Sequence, residues 1–149
     1  MARAKARDSR DRKPAAPANV LKGWRNYLCL ARMHQAFDIP YDWSKDGEWI
    51  LGGTNRQTGR ALIARYPVSA RPGAEAKLEV LAESSDADLW QARYSPDDAL
   101  VAFTRVPRNG GGESVIHTMR TGGSAWTRVT EPGRWADKPR WASHGSTLY

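Results

Sequence analysis

A short pattern that occurs three times constrains the fold of this chain more than any other feature. Each copy has an aromatic residue, a polar turn of four residues and then a β-prone run; the middle copy is Tyr94, Ser95–Asp98 and Leu100–Phe103. The aromatic residues of the copies are about 50 positions apart, at Trp43, Tyr94 and Trp141. In such turns proline presets φ, and Asp and Ser side chains bond the neighbouring backbone. The sequence therefore predicts three equivalent hairpins.

Further strand-like segments lie between these copies, at residues 60–66, 77–81, 114–118 and 125–130. A repeat of about 40 to 50 residues with four short strands is typical of a propeller blade. Stacked blades bury both faces of each sheet, which explains why the run at 100–103 is apolar throughout. We therefore predict an all-β fold, a partial, open β-propeller of four-stranded antiparallel blades. The predicted blades span about 38–86, 87–131 and, in part, 132–149.

The residues expected to build the repeated turns have structural rather than chemical roles. Asp46 and Asp97 are acidic, but they stand at equivalent positions of separate repeats, so each is expected to hold its own turn. The full set of predicted turn residues is Trp43, Asp46, Gly47, Tyr94, Pro96, Asp97, Trp141 and Gly145.

Three segments, Pro139-Arg140-Trp141, Ser95-Pro96-Asp97 and residues 122–130, resemble the TolB-like, or WD40-like PD40, propeller repeat. The repeat's turn reads Ser-Pro-Asp-Gly, and this chain departs from it at Lys45, at Asp98 and in the third turn, which reads Ala-Ser-His-Gly. The resemblance covers about residues 38–149. It implies a location in the periplasm or otherwise outside the cytoplasm. The repeats, together with the lack of a catalytic set, favour a non-catalytic protein- or peptide-interaction scaffold. The alternative that the resemblance implies is the propeller part of a prolyl oligopeptidase-like serine peptidase.

The N-terminal region differs in composition from the rest. Residues 1–25 hold eight of the 23 Lys and Arg residues against two Asp, so most of the formal charge of +7 belongs to this region. We predict a disordered basic tail at 1–22 and a lead-in segment at 23–37, for which a helix and a strand are both open. The near-neutral remainder makes nucleic-acid binding the least favoured function. The basic start has no apolar run after it, so no signal peptide is visible, and no membrane insertion is expected.

The residues that usually carry catalysis or bind metals are scattered. Cys29 is alone, and His34, His117 and His144 have no metal-ligand spacing. The sequence contains no Gly-x-Ser-x-Gly elbow. We therefore expect no enzyme activity, no cofactor and no metal site.

One loop aromatic remains as a candidate contact for a partner. Trp135 lies between turn residues and outside the repeated strands, and exposed loop aromatics often recognise proteins. We therefore predict a binding role for Trp135 toward a protein or peptide. Two and a half blades do not close a ring, so the chain is expected to be part of a longer protein and to self-associate through open blade edges if isolated.

Overall fold

The structure, a computed structural model, describes residues 38–55, 57–68, 78–109, 113–131 and 133–149. Within these ranges the secondary structure is all β, with no helix. The strands are β1 (Ile39–Trp43), β2 (Trp49–Thr54), β3 (Leu62–Pro67), β4 (Glu79–Ala82), β5 (Ala87–Tyr94), β6 (Leu100–Pro107), β7 (Val115–Arg120) and β8 (Trp126–Arg128). The part of the chain that the structure describes contains no helical segment capable of spanning a membrane.

The eight strands form two antiparallel sheets with the same topology. The first sheet has the order β1-β2-β3-β4 and the second the order β5-β6-β7-β8, so each is a simple meander. The remaining segment makes a third hairpin (residues 140–149), in which Arg140 and Tyr149 exchange both backbone hydrogen bonds and Trp141 bridges Leu148. The predicted all-β, partial propeller architecture is confirmed. The predicted tail and lead-in segment lie outside the described residues, and the predicted blade limits remain predictions.

The two sheets are joined by one apolar core. Leu51 and Ile63 of the first sheet and Leu89, Val101 and Phe103 of the second are fully buried in it. A second buried cluster lies on the opposite face of the first sheet, around Ile50, Leu62, Ala64 and Tyr66. The first sheet is therefore apolar on both faces, as stacked blades require.

The first two repeated turns share one hydrogen-bond pattern, and the third keeps its bond to the backbone amide. In the first, the Ser44 hydroxyl donates to Asp46 Oδ1 at 2.6 Å, and that oxygen also accepts the amide of Glu48. In the second, Ser95 donates to Asp97 Oδ1 at 2.6 Å, which accepts the amide of Ala99. In the third, the Asp is replaced by a histidine, and His144 Nδ1 accepts the amide of Ser146 at 3.3 Å.

The fourth turn position has a positive φ in every copy: 73° at Gly47, 59° at Asp98 and 76° at Gly145. The residue at this fourth position also contacts the residue at the second turn position of the preceding blade. Asp98 Oδ2 accepts the amide of Lys45 at 2.6 Å, and a Cβ at Gly145 would lie 3.5 Å from Cδ of Pro96. The two departures from the repeat pattern thus belong together, because Lys45 has an amide that proline lacks and Asp98 supplies its acceptor.

Candidate functional site

A groove lies between the two sheets, at the end of the blades opposite the repeated turns. Its volume is about 510 Å³. We call this end of the blades the loop end and the other the turn end. The groove is lined by residues from the starts of β1 and β3, the end of β2, strand β5 and the segment after β6: Asp38, Ile39, Gly53, Thr54, Asn55, Gly59, Ala61, Asp88, Trp90 and Arg108. It is the size of a small-ligand or side-chain pocket.

The charged wall of this groove is held by an ion pair within the second sheet and by one hydrogen bond from the first sheet. Asp88 accepts two bonds from the Arg108 guanidinium, at 2.5 and 3.0 Å, and the amide of Ala61 at 3.0 Å. The bonds from Arg108 hold the pKa of Asp88 below its usual range. Asp88 is therefore an ionised carboxylate paired with Arg108, and the two side chains form a charged part of the groove lining.

Trp135 lies at the same loop end. Its neighbour Ala136 makes two hydrogen bonds with Ser114. The Ser114 hydroxyl donates to the backbone oxygen of Ala136 at 2.6 Å, and the backbone oxygen of Ser114 accepts the Ala136 amide at 2.9 Å. On the other side, Glu113 accepts the amide of Gly133. Trp135 is 62% exposed between these two attachments. The structure thus presents this indole to solvent from a loop that is held at both ends.

The predicted turn residues lie at the turn end, away from the groove and Trp135. Tyr94 is buried, whereas Trp43 and Trp141 are half-buried. Burial raises the pKa of Tyr94 to about 12. Asp97 is exposed, and its pKa is lowered by the hydrogen bond from Ser95. These residues contact one another's turns, and the structure does not bring them together with Trp135.

His117 lies within an aromatic cluster of the second sheet. Its ring stacks on Phe103 with centroids 6.0 Å apart, and Trp126 meets both rings edge-on. Burial first, and then the charges of Arg105 and Arg128, lower the pKa of His117. Within the described ranges no three His, Cys, Asp or Glu residues are grouped as metal ligands. Cys29 and His34 lie outside those ranges.

A pH dependence of stability follows from His117. The pKa of His117 is lowered in the folded protein, so as the pH falls the imidazole is protonated in the unfolded chain before it is protonated in the folded one. Stability is therefore lost as the pH falls below the pKa of the unfolded chain, about 6.5. We expect the urea concentration at the unfolding midpoint of the wild type to decrease as the pH is lowered from about 7.5 to about 5. His117→Phe should remove part of this dependence of the midpoint on pH, because the phenylalanine side chain cannot be protonated. An equal slope in both proteins would contradict the assignment.

The groove could not be predicted from the sequence, whereas the sequence did single out Trp135, whose exposure the structure shows and whose binding role stays a prediction. Gly53, Ala61, Asp88 and Arg108 meet only through the packing of two sheets, and their spacing along the chain carries no signal. Trp135 was identified from its place in a loop between repeats. An informative signal that the sequence did hold is the alignment of Asp38 with Asp88, each a few residues before a repeat aromatic.

The fold has known structural counterparts. TolB from Acinetobacter baumannii superposes on 72% of this chain with a TM-score of 0.57 and 23% identity, and a prolyl endopeptidase on 90% with a TM-score of 0.50 and 17% identity. A putative TolB from Agrobacterium tumefaciens is also similar over 58% of this chain, with a TM-score of 0.49 and 23% identity. No family model and no curated protein matches the chain.

The chain therefore has a TolB-like β-propeller-type fold. It spans 24%, 31% and 22% of the lengths of the TolB, putative TolB and prolyl endopeptidase structures, respectively. At these identities the likeness concerns the fold alone, because one propeller architecture serves many functions.

Proposed function

We propose that the chain is a non-catalytic propeller segment that binds a protein or peptide partner at the loop end of its blades. The observation that carries the proposal is Trp135, 62% exposed on a loop that is fixed by Glu113 and Ser114. Tryptophan is the residue most enriched at the energetic centres of protein interfaces. Because its loop is already ordered by these contacts, binding would cost little conformational entropy.

The groove supports the same location. It opens at the loop end, where Asp88, Arg108 and Asn55 offer polar groups and Trp90 an aromatic one. Surfaces that combine an aromatic anchor with a polar rim suit peptides. The partner would place an apolar side chain on Trp135 and a second side chain in the groove.

The non-catalytic part of the proposal is supported by the sequence, which lacks a Gly-x-Ser-x-Gly elbow. The peptidase alternative is not favoured over the scaffold, since the chain is similar in fold to both TolB and a prolyl endopeptidase. A location outside the cytoplasm is part of the proposal and is supported by the TolB-like fold.

Peptide selection tests this function directly. Peptides from a random display library would be selected on the immobilised full chain, and their dissociation constants measured by fluorescence anisotropy. We expect Trp135→Ala to weaken binding by at least about tenfold, the effect of removing an interface anchor. Val129→Ala is the matched control, because Val129 is 46% exposed beside the outer strand β8. Selected peptides that bind Trp135→Ala as well as the wild type would refute the proposed surface.

A further inference from the structure

The first sheet has a buried apolar face on which no other strand of the described ranges packs. Four residues of β2 and β3 form the centre of this face and are 0–5% exposed: Ile50, Leu62, Ala64 and Tyr66. The contacts between the two sheets run through β5 and belong to the core on the opposite face. The third hairpin is bonded to the second sheet, through Gln91 and Arg93. This face of the first sheet, which we call the outer face, therefore lies at the free end of the stack of blades.

Strand pairing extends the outer face over all four strands of the sheet. Trp43 pairs with Ile50, and Ile50 pairs with Tyr66. In the next row Ala64 pairs with Val80 of β4. The apolar side chains around the centre are only partly buried: Trp43, Val68, Leu78 and Val80. Four strands at their usual spacing are about 15 Å wide, and an apolar face of this extent is rarely left open to water in a monomer.

The composition of the chain leaves one segment that can cover the outer face. Outside the described ranges, side chains that are apolar and larger than alanine occur, apart from Met1 and a few prolines, only between positions 20 and 37. Residues 69–77, which connect β3 to β4, have no aliphatic side chain larger than alanine and no aromatic one. The segment 20–37, by contrast, holds large apolar residues along its whole length: Leu21, Trp24, Tyr27, Leu28, Leu30, Met33 and Phe37.

The segment 20–37 also joins the sheet at a suitable place. It runs directly into Asp38 and β1, the strand that carries Trp43 of the outer face. Ile39 of β1 pairs with Gly53, next to the pair of Thr54 with Leu62. The chain therefore enters beside the row of Leu62. The 18 residues of the segment span about 27 Å as a helix and about 60 Å as a strand, so either conformation reaches across the four strands.

We propose that residues 20–37 pack on the outer face of the first sheet and cap this end of the blade stack. A second copy of the chain is the less suitable occupant, because it would cover the face but leave the apolar side chains of both segments in water. Stacked repeats need a terminal unit with a polar outer surface, and the segment also carries Lys22, Arg25 and Arg32. The cap prevents a further blade or a second copy from stacking on the first sheet.

Cys29 permits a direct test, because it is the only cysteine of the chain and lies within the segment. A second thiol is introduced into the full chain by Val80→Cys, on the outer face, and a short bifunctional maleimide is added to dilute protein. We expect an intramolecular cross-link between Cys29 and the new thiol, identified by peptide mass spectrometry. Two thiols held on one face have a high effective concentration, so the yield should exceed that of the control by about tenfold.

Thr58→Cys is the matched control for a segment that is only tethered. Thr58 is exposed in the loop between β2 and β3, and its neighbour Gly59 lines the groove together with Asp38, the residue that follows the segment. Val80 lies on β4, three strands away from β1. A loosely tethered segment would therefore reach position 58 at least as readily as position 80.

Unfolding of the full chain provides a second measurement. Trp24→Ala should lower the urea midpoint by about 1 M, the expected shift for truncating a buried aromatic side chain at the usual dependence of stability on urea. Deletion of residues 2–19, which contain no aliphatic side chain larger than alanine and no aromatic one, should shift the midpoint by less than about 0.2 M.

Three results would overturn the cap. Equal cross-linking yields for Val80→Cys and Thr58→Cys would show that the segment is not held on the outer face. An unchanged midpoint in Trp24→Ala would show that its largest side chain is not buried. Cross-links formed only between two molecules would assign the face to a second copy. Peptide binding is tested separately, since Trp135 is attached to the second sheet through Ser114 and Glu113.

Discussion

Replacing Phe103 by Ala is expected to lower the free energy of unfolding by about 3–5 kcal/mol, the range for removing a fully buried aromatic side chain. Phe103 is 0% exposed in the centre of β6. It contacts Trp126 edge-on at 5.1 Å and stacks on His117, and it belongs to the core shared by both sheets. Its loss would leave a cavity between two blades that cannot close without moving a whole sheet.

Urea unfolding followed by tryptophan fluorescence measures this effect. Val129→Ala is the control, since Val129 is 46% exposed and its truncation should cost less than about 0.5 kcal/mol. A loss of less than about 1 kcal/mol for Phe103→Ala would show that the two sheets do not share a core in solution.

Gly53→Ala is the second substitution with a large expected effect. A Cβ at Gly53 would lie 2.4 Å from the hydroxyl of Tyr41 and 2.9 Å from two atoms of its ring. Tyr41 packs against the core shared by the two sheets and its hydroxyl oxygen is buried, so the ring has little room to move aside. Overpacking of this kind costs about 1–3 kcal/mol.

A double-mutant cycle with Tyr41→Ala separates the clash from other effects of the alanine. If the clash is the cause, the double variant should be more stable than the sum of the single losses predicts, by about 1 kcal/mol or more. Strict additivity would mean that the strand, rather than the tyrosine ring, rejects the side chain. Thermal or urea unfolding of the four proteins gives the comparison.

The blades could be predicted because their signals are local. Ser44 and Asp46, or Ser95 and Asp97, lie within a few residues of the amides that they bond, so composition and order are enough to mark each turn. The predicted strand at 125–130 proved shorter, at Trp126–Arg128, because outer strands have a partner on one side only.

The first strands were harder to read. The pairing of these strands is interrupted between Pro40 and Asp42 and between Trp90 and Arg93. Gln91 has a φ of 56°, and because it is not a glycine the sequence does not indicate this conformation. The side-chain oxygen of Gln91 accepts the amide of Lys138, just before the third hairpin, at 2.8 Å. Such bulges shift the register by one or two residues, so the groove that they border follows from packing and not from spacing.

The residue at the fourth turn position of one blade contacts the residue at the second turn position of the blade before it. The order of the blades therefore matters at this contact between single residues. A duplicate of the first blade in place of the second would set Gly47 against Lys45 and leave that amide without its carboxylate. A duplicate of the second blade in place of the third would set Asp98 against Pro96, which has no N–H to donate. Neighbouring blades of this repeat are therefore not interchangeable. Recombination that changes the order of the blades would therefore lower stability at this contact between single residues, in addition to any effect on the core.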